Sequence, residues 1–271
     1  LVLPGGTEIG LEIHAALSER RDVELFSAGM DVSSHAPYAF ARHETHPGIS
    51  APNSVQVLNA IIQKHQIDFV YPAHDDAVLS LARVRSEIAA RVLCSPLDTC
   101  EIARSKRATY RALEGYVAVP RLYEHPEDIR SFPVFVKPDR GQGSQGARLV
   151  RSRSELDAIL HEEPGLVVLE YLPGPEYTVD CFSDRERGLL FCAGRQRDRI
   201  RNGISMATHH VADPRIRPIA EAICKPLTFH GAWFFQVKAD ASGNLRILEV
   251  APRIAGAMAL DRIEQKLNLA K

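Results

Sequence analysis

Two oxygen-bearing side chains near the end of the sequence have the types and spacing of ligands for a divalent cation. Gln236 and Glu249 lie in the apolar segments WFFQVK and LRILEV, which a short polar stretch separates. If residues 241–244 form a four-residue hairpin loop, Gln236 faces Glu249 across the two strands, with Cβ atoms about 5 Å apart. An amide and a carboxylate oxygen at that separation suit Mg²⁺, although a hydrogen bond between them on a half-exposed face is the simpler interpretation.

A lysine in an apolar strand precedes a glycine-rich segment. Lys137 lies in VFVKP, where a buried ammonium group is strongly destabilising without an anionic neighbour. The segment GQGSQG has GxGxxG spacing, but the following ARLVRS alternates like a strand and does not begin a helix. The pattern therefore favours a hairpin flap over a polyphosphate rather than a dinucleotide fingerprint. A mobile surface turn, and a lysine that snorkels or forms an internal salt bridge, are the alternatives.

Four arginines occur at every second position: Arg195, Arg197, Arg199 and Arg201. In an extended segment this spacing would project all four to one side. Such a row either binds an anionic substrate through bidentate hydrogen bonds or protects an edge strand from aggregation.

A second polar cluster, His74 with Asp75 and Asp76, follows the apolar segment IDFVYP. Ligands of open α/β sheets bind outside the carboxyl ends of the parallel strands, where this cluster would lie. We predict that these residues cap a helix and, second, that they line a substrate.

The elements that position these residues differ between the two parts of the chain. Residues 1–29 predict a strand, a glycine turn, an amphipathic helix and a second strand, which is a parallel unit. A helix over 54–65, a strand over 67–72 and a helix over about 77–92 continue this pattern to about Pro96. We expect a Rossmann-like parallel α/β layer there.

The remainder predicts antiparallel sheets. Asp98 and Glu101 have the spacing of a capping box, Ser105 can cap a second helix, and Gly115 can end it. Short strands with polar turns follow, then a helix over about 214–227 and the final hairpin. The predicted fold class is therefore α/β followed by an α+β unit.

Composition excludes several classes of function. The 271 residues include 33 Lys and Arg against 34 Asp and Glu, so the formal net charge of −1 offers no field for nucleic acid or a membrane surface. The apolar runs are too short to span a bilayer. Five cysteines without a CxxC pair argue against a disulfide framework and a thiolate zinc site, which predicts a cytoplasmic protein.

The order of these motifs resembles that of the ATP-grasp superfamily, in particular the carbamoyl-phosphate-synthase large-chain-like branch of carboxylate–amine ligases. The most specific stretches are SKRATYRAL, VFVKPDRGQGSQGARLV, LEYLPGPEYTVD and FFQVKADASGNLRILEVAPR. The resemblance implies a pre-ATP-grasp domain over residues 1–97 and an ATP-grasp domain over 98–271. It divides the latter into an ATP-clamping subdomain, 98–169, and a C-terminal catalytic subdomain, 170–271.

The resemblance also implies the roles of particular residues. Eight positions match those with which the family binds ATP: Lys106, Lys137, Gly143, Ser144, Glu170, Tyr171, Leu172 and Glu176. Two match its ligands for Mg²⁺ or Mn²⁺: Gln236 and Glu249. Arg253 matches the arginine beside the reacting phosphate, and Lys137 would also stabilise charge there. From the row of arginines, we expect Arg199 and Arg201 to complete the catalytic set by binding the acceptor carboxylate.

One position departs from the family pattern. The closing motif of the family usually reads E-x-N-P-R, whereas this chain reads EVAPR with Ala251 in place of the asparagine ligand. A methyl group cannot coordinate a metal ion. A water could replace the ligand, a single metal could bind tightly, or catalysis could be impaired.

The resemblance implies an ATP- and Mg²⁺-dependent ligase that activates a small carboxylate as an acyl phosphate for capture by an amine or similar nucleophile. The alternative is a catalytically weakened ATP-binding module of a larger assembly, and a dinucleotide-dependent oxidoreductase using PGGTEIG is a third hypothesis. Nucleic acid and membrane partners are not expected, and a homodimer is left open. The sequence does not identify the carboxylate or the amine.

Overall fold

The first part of the chain forms a parallel sheet covered by helices. The computed structural model describes residues 1–141, 143, 145–201 and 203–256. The five strands pair in the order β3-β2-β1-β4-β5, all parallel. The strands are β1 (Val2–Leu3), β2 (Phe26–Gly29), β3 (Arg42–Thr45), β4 (Phe69–Pro72) and β5 (Arg91–Val92). The helices are α1 (Glu8–Leu17), α2 (Ala36–Ala39), α3 (Ser54–His65) and α4 (Asp75–Arg83).

The turn between β1 and α1 brings a helix start to the carboxyl end of the sheet. Thr7 caps α1, since its hydroxyl oxygen accepts a hydrogen bond from the Gly10 N–H at 3.0 Å. Its hydroxyl also donates to the Ala73 carbonyl at the end of β4, at 2.8 Å. A Cβ at position 10 would lie 2.6 Å from the Gly5 carbonyl oxygen, so this close turn requires glycine.

The predicted helix over 77–92 is too long. Helix α4 ends at Arg83, a 3₁₀ turn covers Arg85–Glu87, and β5 pairs in parallel with β4. Val92, only 2% exposed, is buried in the core of the sheet. An apolar segment of this length is compatible with either a helix or a strand, and packing against β4 decides in favour of the strand.

The second sheet is antiparallel, with strand order β6-β9-β7-β8. Because β7 and β8 pair as antiparallel neighbours, the glycine segment between them joins two strands and does not begin a helix. This arrangement confirms the hairpin predicted from the alternation of ARLVRS. The strands are β6 (Leu122–Tyr123), β7 (Val134–Pro138), β8 (Arg148–Val150) and β9 (Leu166–Glu170). The helices are α5 (Leu97–Arg104), α6 (Lys106–Leu113) and α7 (Arg153–Glu162).

The third sheet has five antiparallel strands in the order β12-β11-β10-β13-β14. Residues on one face, such as Val179, Trp233 and Phe235, pack with α8 in an apolar core. Alternate residues face the other way, as the period of two requires. The strands are β10 (Glu176–Asp184), β11 (Gly188–Arg201), β12 (Ile204–Val211), β13 (Gly231–Ala239) and β14 (Leu245–Ala251), and α8 spans Ile216–Ile223.

The mixed architecture confirms the predicted fold class: a Rossmann-like parallel layer is followed by antiparallel sheets. Among the residues that the structure describes, no helix combines the length and apolarity needed to cross a bilayer.

Candidate active site

All three sheets contribute to one cavity of about 550 Å³, a volume typical of a small-molecule site. The ends of β1 and β4 contribute one wall, the second sheet contributes another, and the third sheet forms the floor. The lining includes most of the residues singled out from the sequence: Lys106, Lys137, Gly143, Glu170, Tyr171, Leu172, Glu176, Gln236, Glu249 and Arg253. Ser144 lies outside the described residues.

Gln236 and Glu249 are direct cross-strand partners, as the hairpin arithmetic predicted. The hairpin loop differs from the prediction. Because Ala239 pairs with Leu245, the loop comprises residues 240–244, one residue more than predicted. A register shift then leaves Leu248 without a partner and restores the expected pairing at Gln236. This bulge adds one residue to β14 and so compensates for the extra residue in the loop. The two oxygen donors therefore face each other on the cavity floor.

The bulge also provides a partner for Lys137. The Leu248 carbonyl accepts hydrogen bonds from the Lys137 ammonium at 3.1 Å and from the Tyr110 hydroxyl at 2.8 Å. Lys137 is 8% exposed and forms no ion pair with any carboxylate of the described residues. Burial, together with repulsion from Lys106, lowers the pKa of Lys137 to about 7 despite the attraction of Glu249.

Lys106 occupies the first position of α6 and reaches the same region. Its ammonium donates to the carbonyls of Asp139 and Gly141, at 3.3 and 3.2 Å, beside the glycine hairpin. Burial also lowers the pKa of Lys106, while attraction to Glu249 opposes the shift. Ser105 caps α6 as predicted. The structure therefore brings Lys106, Lys137 and Glu249 together.

Arg253 is held by a carboxylate from the first sheet. Its Nε and Nη2 donate to the two oxygens of Asp75 at 2.6 and 2.7 Å, and its guanidinium lies 5.0 Å from the ring centroid of Phe234. Burial opposes the charge on both groups, but their mutual attraction prevails, so the pKa of Arg253 is raised and that of Asp75 lowered. Asp75 thus orients Arg253 at the cavity wall, and His74 caps α4 as predicted.

The end of β9 and the turn after it form an apolar part of the cavity with Phe135 and Leu169. Leu172 is buried, and Tyr171 is exposed. The Glu170 carboxylate accepts a hydrogen bond from the Arg121 N–H at 2.9 Å, so one of its oxygens is engaged by the backbone.

Glu176 does not present a free carboxylate to the cavity. It pairs with Arg197 and lies 3.5 Å from the Lys238 ammonium. The ATP-binding role that the resemblance implies for Glu176 stays a prediction.

The expectation that four arginines project to one side is wrong. Arg195 and Arg197 are buried and line the cavity, whereas Arg199 and Arg201 are exposed and are not among its lining residues. The reason is a bulge at Asp198: Arg197 pairs with Thr208 and Arg199 pairs with Ala207, so the alternation breaks between them.

Ala251 has an apolar environment. It pairs across β13 with Phe234, is 2% exposed and packs with Phe234 and Ala255. No oxygen donor replaces the asparagine of the family motif at this pair of positions.

The donor set at Gln236 and Glu249 fits a hard divalent cation. Within the described residues neither side chain makes a hydrogen bond or a short ion pair, so their oxygens are available. No cluster of three His, Cys, Asp or Glu side chains in those residues could hold a metal by itself. Mg²⁺ characteristically takes few protein ligands and completes its shell with waters and substrate phosphates.

Sequence reasoning missed two ion pairs that shape the site. Arg195 donates to Asp180 through Nε at 2.7 Å and Nη2 at 3.5 Å, and both side chains are 2% exposed. The alternation of Thr178 and Asp180 along β10 was a usable signal for a polar floor. Nothing in the local sequence connects Asp75 with Arg253, 178 positions away.

The three sheets define an ATP-grasp fold: a parallel layer is followed by two antiparallel sheets, and together they enclose one cavity. The cavity contains buried lysines, a glycine hairpin and a cross-strand pair of oxygen donors. In fold the chain is similar to ATP-grasp proteins. Residues 162–270 match the family model described as ATP-grasp in the biosynthetic pathway with Ter operon. No curated protein matches the chain in sequence.

Solved structures share the fold at low sequence identity. The ADP-bound N5-carboxyaminoimidazole synthetase from Staphylococcus aureus is 15% identical, with a TM-score of 0.73 over 93% of this chain and 69% of that one. L-amino acid ligase from Bacillus licheniformis is 17% identical, with a TM-score of 0.72 over 98% of this chain and 70% of that one. Rhizobium etli pyruvate carboxylase is 15% identical with a TM-score of 0.77; the chain covers 27% of its length.

Proposed function

We propose that the chain is an ATP- and Mg²⁺-dependent ligase that activates a small carboxylate as an acyl phosphate for capture by an amine or similar nucleophile. The observation that carries this proposal is the convergence of Lys106, Lys137 and the pair Gln236 and Glu249 on one cavity. Buried cations beside available oxygen donors suit a metal-complexed triphosphate. The neighbours named as ligases, synthetases and carboxylases agree with this class of reaction.

The chemistry needs no protein nucleophile. A carboxylate oxygen of the substrate attacks the γ-phosphorus of ATP, ADP leaves, and the amine nitrogen then attacks the acyl carbon, releases phosphate and loses a proton. Lys106 and Lys137 stabilise phosphate charge, and Arg253, oriented by Asp75, stabilises the charge that develops at the acyl phosphate. Gln236 and Glu249 would hold Mg²⁺, which when bound neutralises part of the triphosphate charge.

The remaining roles and the organisation are part of the same proposal. The adenine ring would lie between Phe135 and the turn at Tyr171 and Leu172, with Gly143 in the flap over the phosphates. We retain the division at residues 97 and 98, with subdomains meeting at 169 and 170, since each part contains one of the three sheets. The cytoplasm is the expected setting, and a homodimer stays open; one structural neighbour is described as a dimer.

A coupled assay of ADP release against a panel of amino acids and small carboxylates tests the activity. We expect release that depends on both an acid and an amine. Lys137→Met should lower kcat/KM at least about 100-fold because a phosphate would lose its buried cation, a difference of about 2.7 kcal/mol. Lys64→Met, at an exposed ion pair far from the cavity, is the matched control. Equal rates in the two variants would refute the assignment.

The second candidate function is an ATP-binding module without turnover, which the apolar environment of Ala251 favours. ATP would then bind while the full panel gives no ADP release. Release that appears only in Ala251→Asn would identify a ligase weakened at its metal site. Release by the unaltered chain would eliminate this candidate.

A further inference from the structure

Two buried arginines on the cavity floor retain hydrogen-bond donors without a protein partner. Arg195 and Arg197 are 1% and 9% exposed, and both line the cavity. Within the described part of the chain, Arg195 Nη1, Arg197 Nε and Ser205 Oγ are buried atoms that make no hydrogen bond. Buried polar groups in folded proteins are nearly always hydrogen-bonded, so three unpartnered atoms on one cavity floor mark a place where a bound group can satisfy them.

The orientation of Arg195 defines which ligand fits. Its side-on edge, Nε and Nη2, already binds Asp180. The end-on edge, Nη1 with the second hydrogen of Nη2, remains free and has the geometry of a fork for two oxygens. A guanidinium is a cation with donors only, so an oxyanion such as a carboxylate or phosphate matches this edge in both charge and geometry.

Both arginines are held in place before any ligand binds. Asp180 fixes Arg195, while Glu176 and the Gly203 carbonyl fix Arg197. Gly203 lies in the turn between β11 and β12, Ser205 lies in β12, and both line the cavity. Such preorganised donors lose little conformational entropy when an anion binds.

The subsite is separate from the metal donors. Gln236 pairs with Thr178 on β10, and Thr178 pairs with Arg195 on β11, so two strand spacings, about 10 Å, separate the backbone at Gln236 from that at Arg195. An anion at Arg195 therefore lies beside the place proposed for the metal-bound phosphates. A single acid molecule with two anionic groups could reach both.

We infer that Arg195, Arg197 and Ser205 form a subsite for a second anionic group of the acid substrate, which is therefore a dicarboxylic or phosphorylated acid. This inference rests on the proposed ligase function, since it assumes that the first carboxylate is the one activated. The alternative source of the same oxyanion is the nucleotide itself.

Inorganic phosphate is the probe for the subsite. Thermal unfolding is followed during phosphate titration, with the protein both free and saturated with the Mg²⁺ complex of a non-hydrolysable ATP analogue. We expect stabilisation by phosphate whose apparent affinity falls about tenfold in Arg195→Lys and in Ser205→Ala, since each loses a charge-assisted hydrogen bond. Arg217→Lys, at an exposed ion pair outside the cavity lining, should match the unaltered chain.

Equal stabilisation of all four proteins would mean an adventitious ion only and would overturn the inference. If the ATP analogue does not bind, that result refutes the proposed function but not the anion subsite. The phosphate titration without nucleotide then still tests the subsite. Ser205→Ala, which leaves both ion pairs intact, covers the case in which Arg195→Lys does not fold.

Kinetics distinguish the two sources of the anion. In the ADP-release assay, Arg195→Lys should raise KM about tenfold for acids with a second anionic group and leave KM for MgATP unchanged. A rise in KM for MgATP with no change for the acid would assign the subsite to the nucleotide and overturn the inference.

Discussion

Lys137 shows how burial prepares a side chain for an anion. The β7 position buries its ammonium against Tyr110, whose ring centroid lies 5.6 Å away, and the only described hydrogen-bond acceptor is the Leu248 carbonyl. The sequence alone indicated this, because a lysine in an apolar strand needs a negative neighbour. The structure adds that Lys106 and Glu249 share the neighbourhood.

The pKa of Lys137, lowered from 10.5 to about 7 by burial, predicts proton-linked binding of nucleotide. A bound phosphate favours the ammonium, so at pH 8 binding should take up a proton and affinity for MgATP should fall by up to about tenfold per pH unit above pH 7. Calorimetric titration in two buffers of different ionisation enthalpy measures this uptake. Lys137→Met should bind weakly with no such linkage; equal linkage in both proteins would contradict the prediction.

The ion pair of Asp75 and Arg253 should be important for stability as well as for the site. Their side chains are 15% and 10% exposed, so Asp75→Asn leaves a buried guanidinium unpaired and should lower the free energy of unfolding by about 3 kcal/mol. Urea denaturation measures the difference. Glu221→Gln removes an exposed pair with Arg217 and should cost less than about 0.5 kcal/mol. Similar losses in both variants would disprove the distinction.

At the scale of elements, two bulges decide which side chains face the cavity. The one at Leu248 returns Glu249 to Gln236, and the one at Asp198 separates Arg195 and Arg197 from Arg199 and Arg201. A period-two pattern predicts faces correctly only while the register is continuous. Bulges depend on packing between strands, so alternation in the sequence does not reveal them. The pairing of Gln236 with Glu249 was predicted correctly only because the bulge at Leu248 offset the error in loop length. The prediction for the arginines failed because nothing offset the bulge at Asp198.

Gly174 lies in the turn between β9 and β10, where the second and third sheets meet. A Cβ there would be 2.6 Å from the Ala239 Cβ and 2.7 Å from the Ala239 oxygen, so Gly174→Ala must displace the turn that carries Tyr171 and Leu172. We expect a loss of about 2 kcal/mol in unfolding free energy, the usual cost of overpacking, together with weaker nucleotide binding.

Gly165→Ala is the matched control, because a Cβ at that position has no atom within 4 Å. Thermal unfolding and nucleotide titration of both variants test the prediction. If Gly174→Ala is as stable as Gly165→Ala and binds nucleotide equally well, the close approach at Ala239 has no structural consequence.

At the scale of the whole molecule, the sequence predicted the order of the sheets and the change from parallel to antiparallel, because both follow from local periodicity and turn residues. It could not predict the joining of the first sheet to the end of β14 by Asp75 and Arg253, since long-range pairs have no local signal. Nor did it reveal that Arg195 is among the most deeply buried side chains, since this depends on Asp180 being its neighbour.

Binding of a magnesium-complexed triphosphate in this one cavity is the step on which the proposed function depends. Isothermal titration with ATP, with and without Mg²⁺, tests it in the unaltered chain and in Glu249→Gln. We predict that Mg²⁺ strengthens ATP binding about tenfold or more in the unaltered chain and has little effect in Glu249→Gln, which loses one carboxylate ligand. Absence of ATP binding, or an equal effect of Mg²⁺ in both proteins, would contradict the proposed metal-complexed triphosphate site.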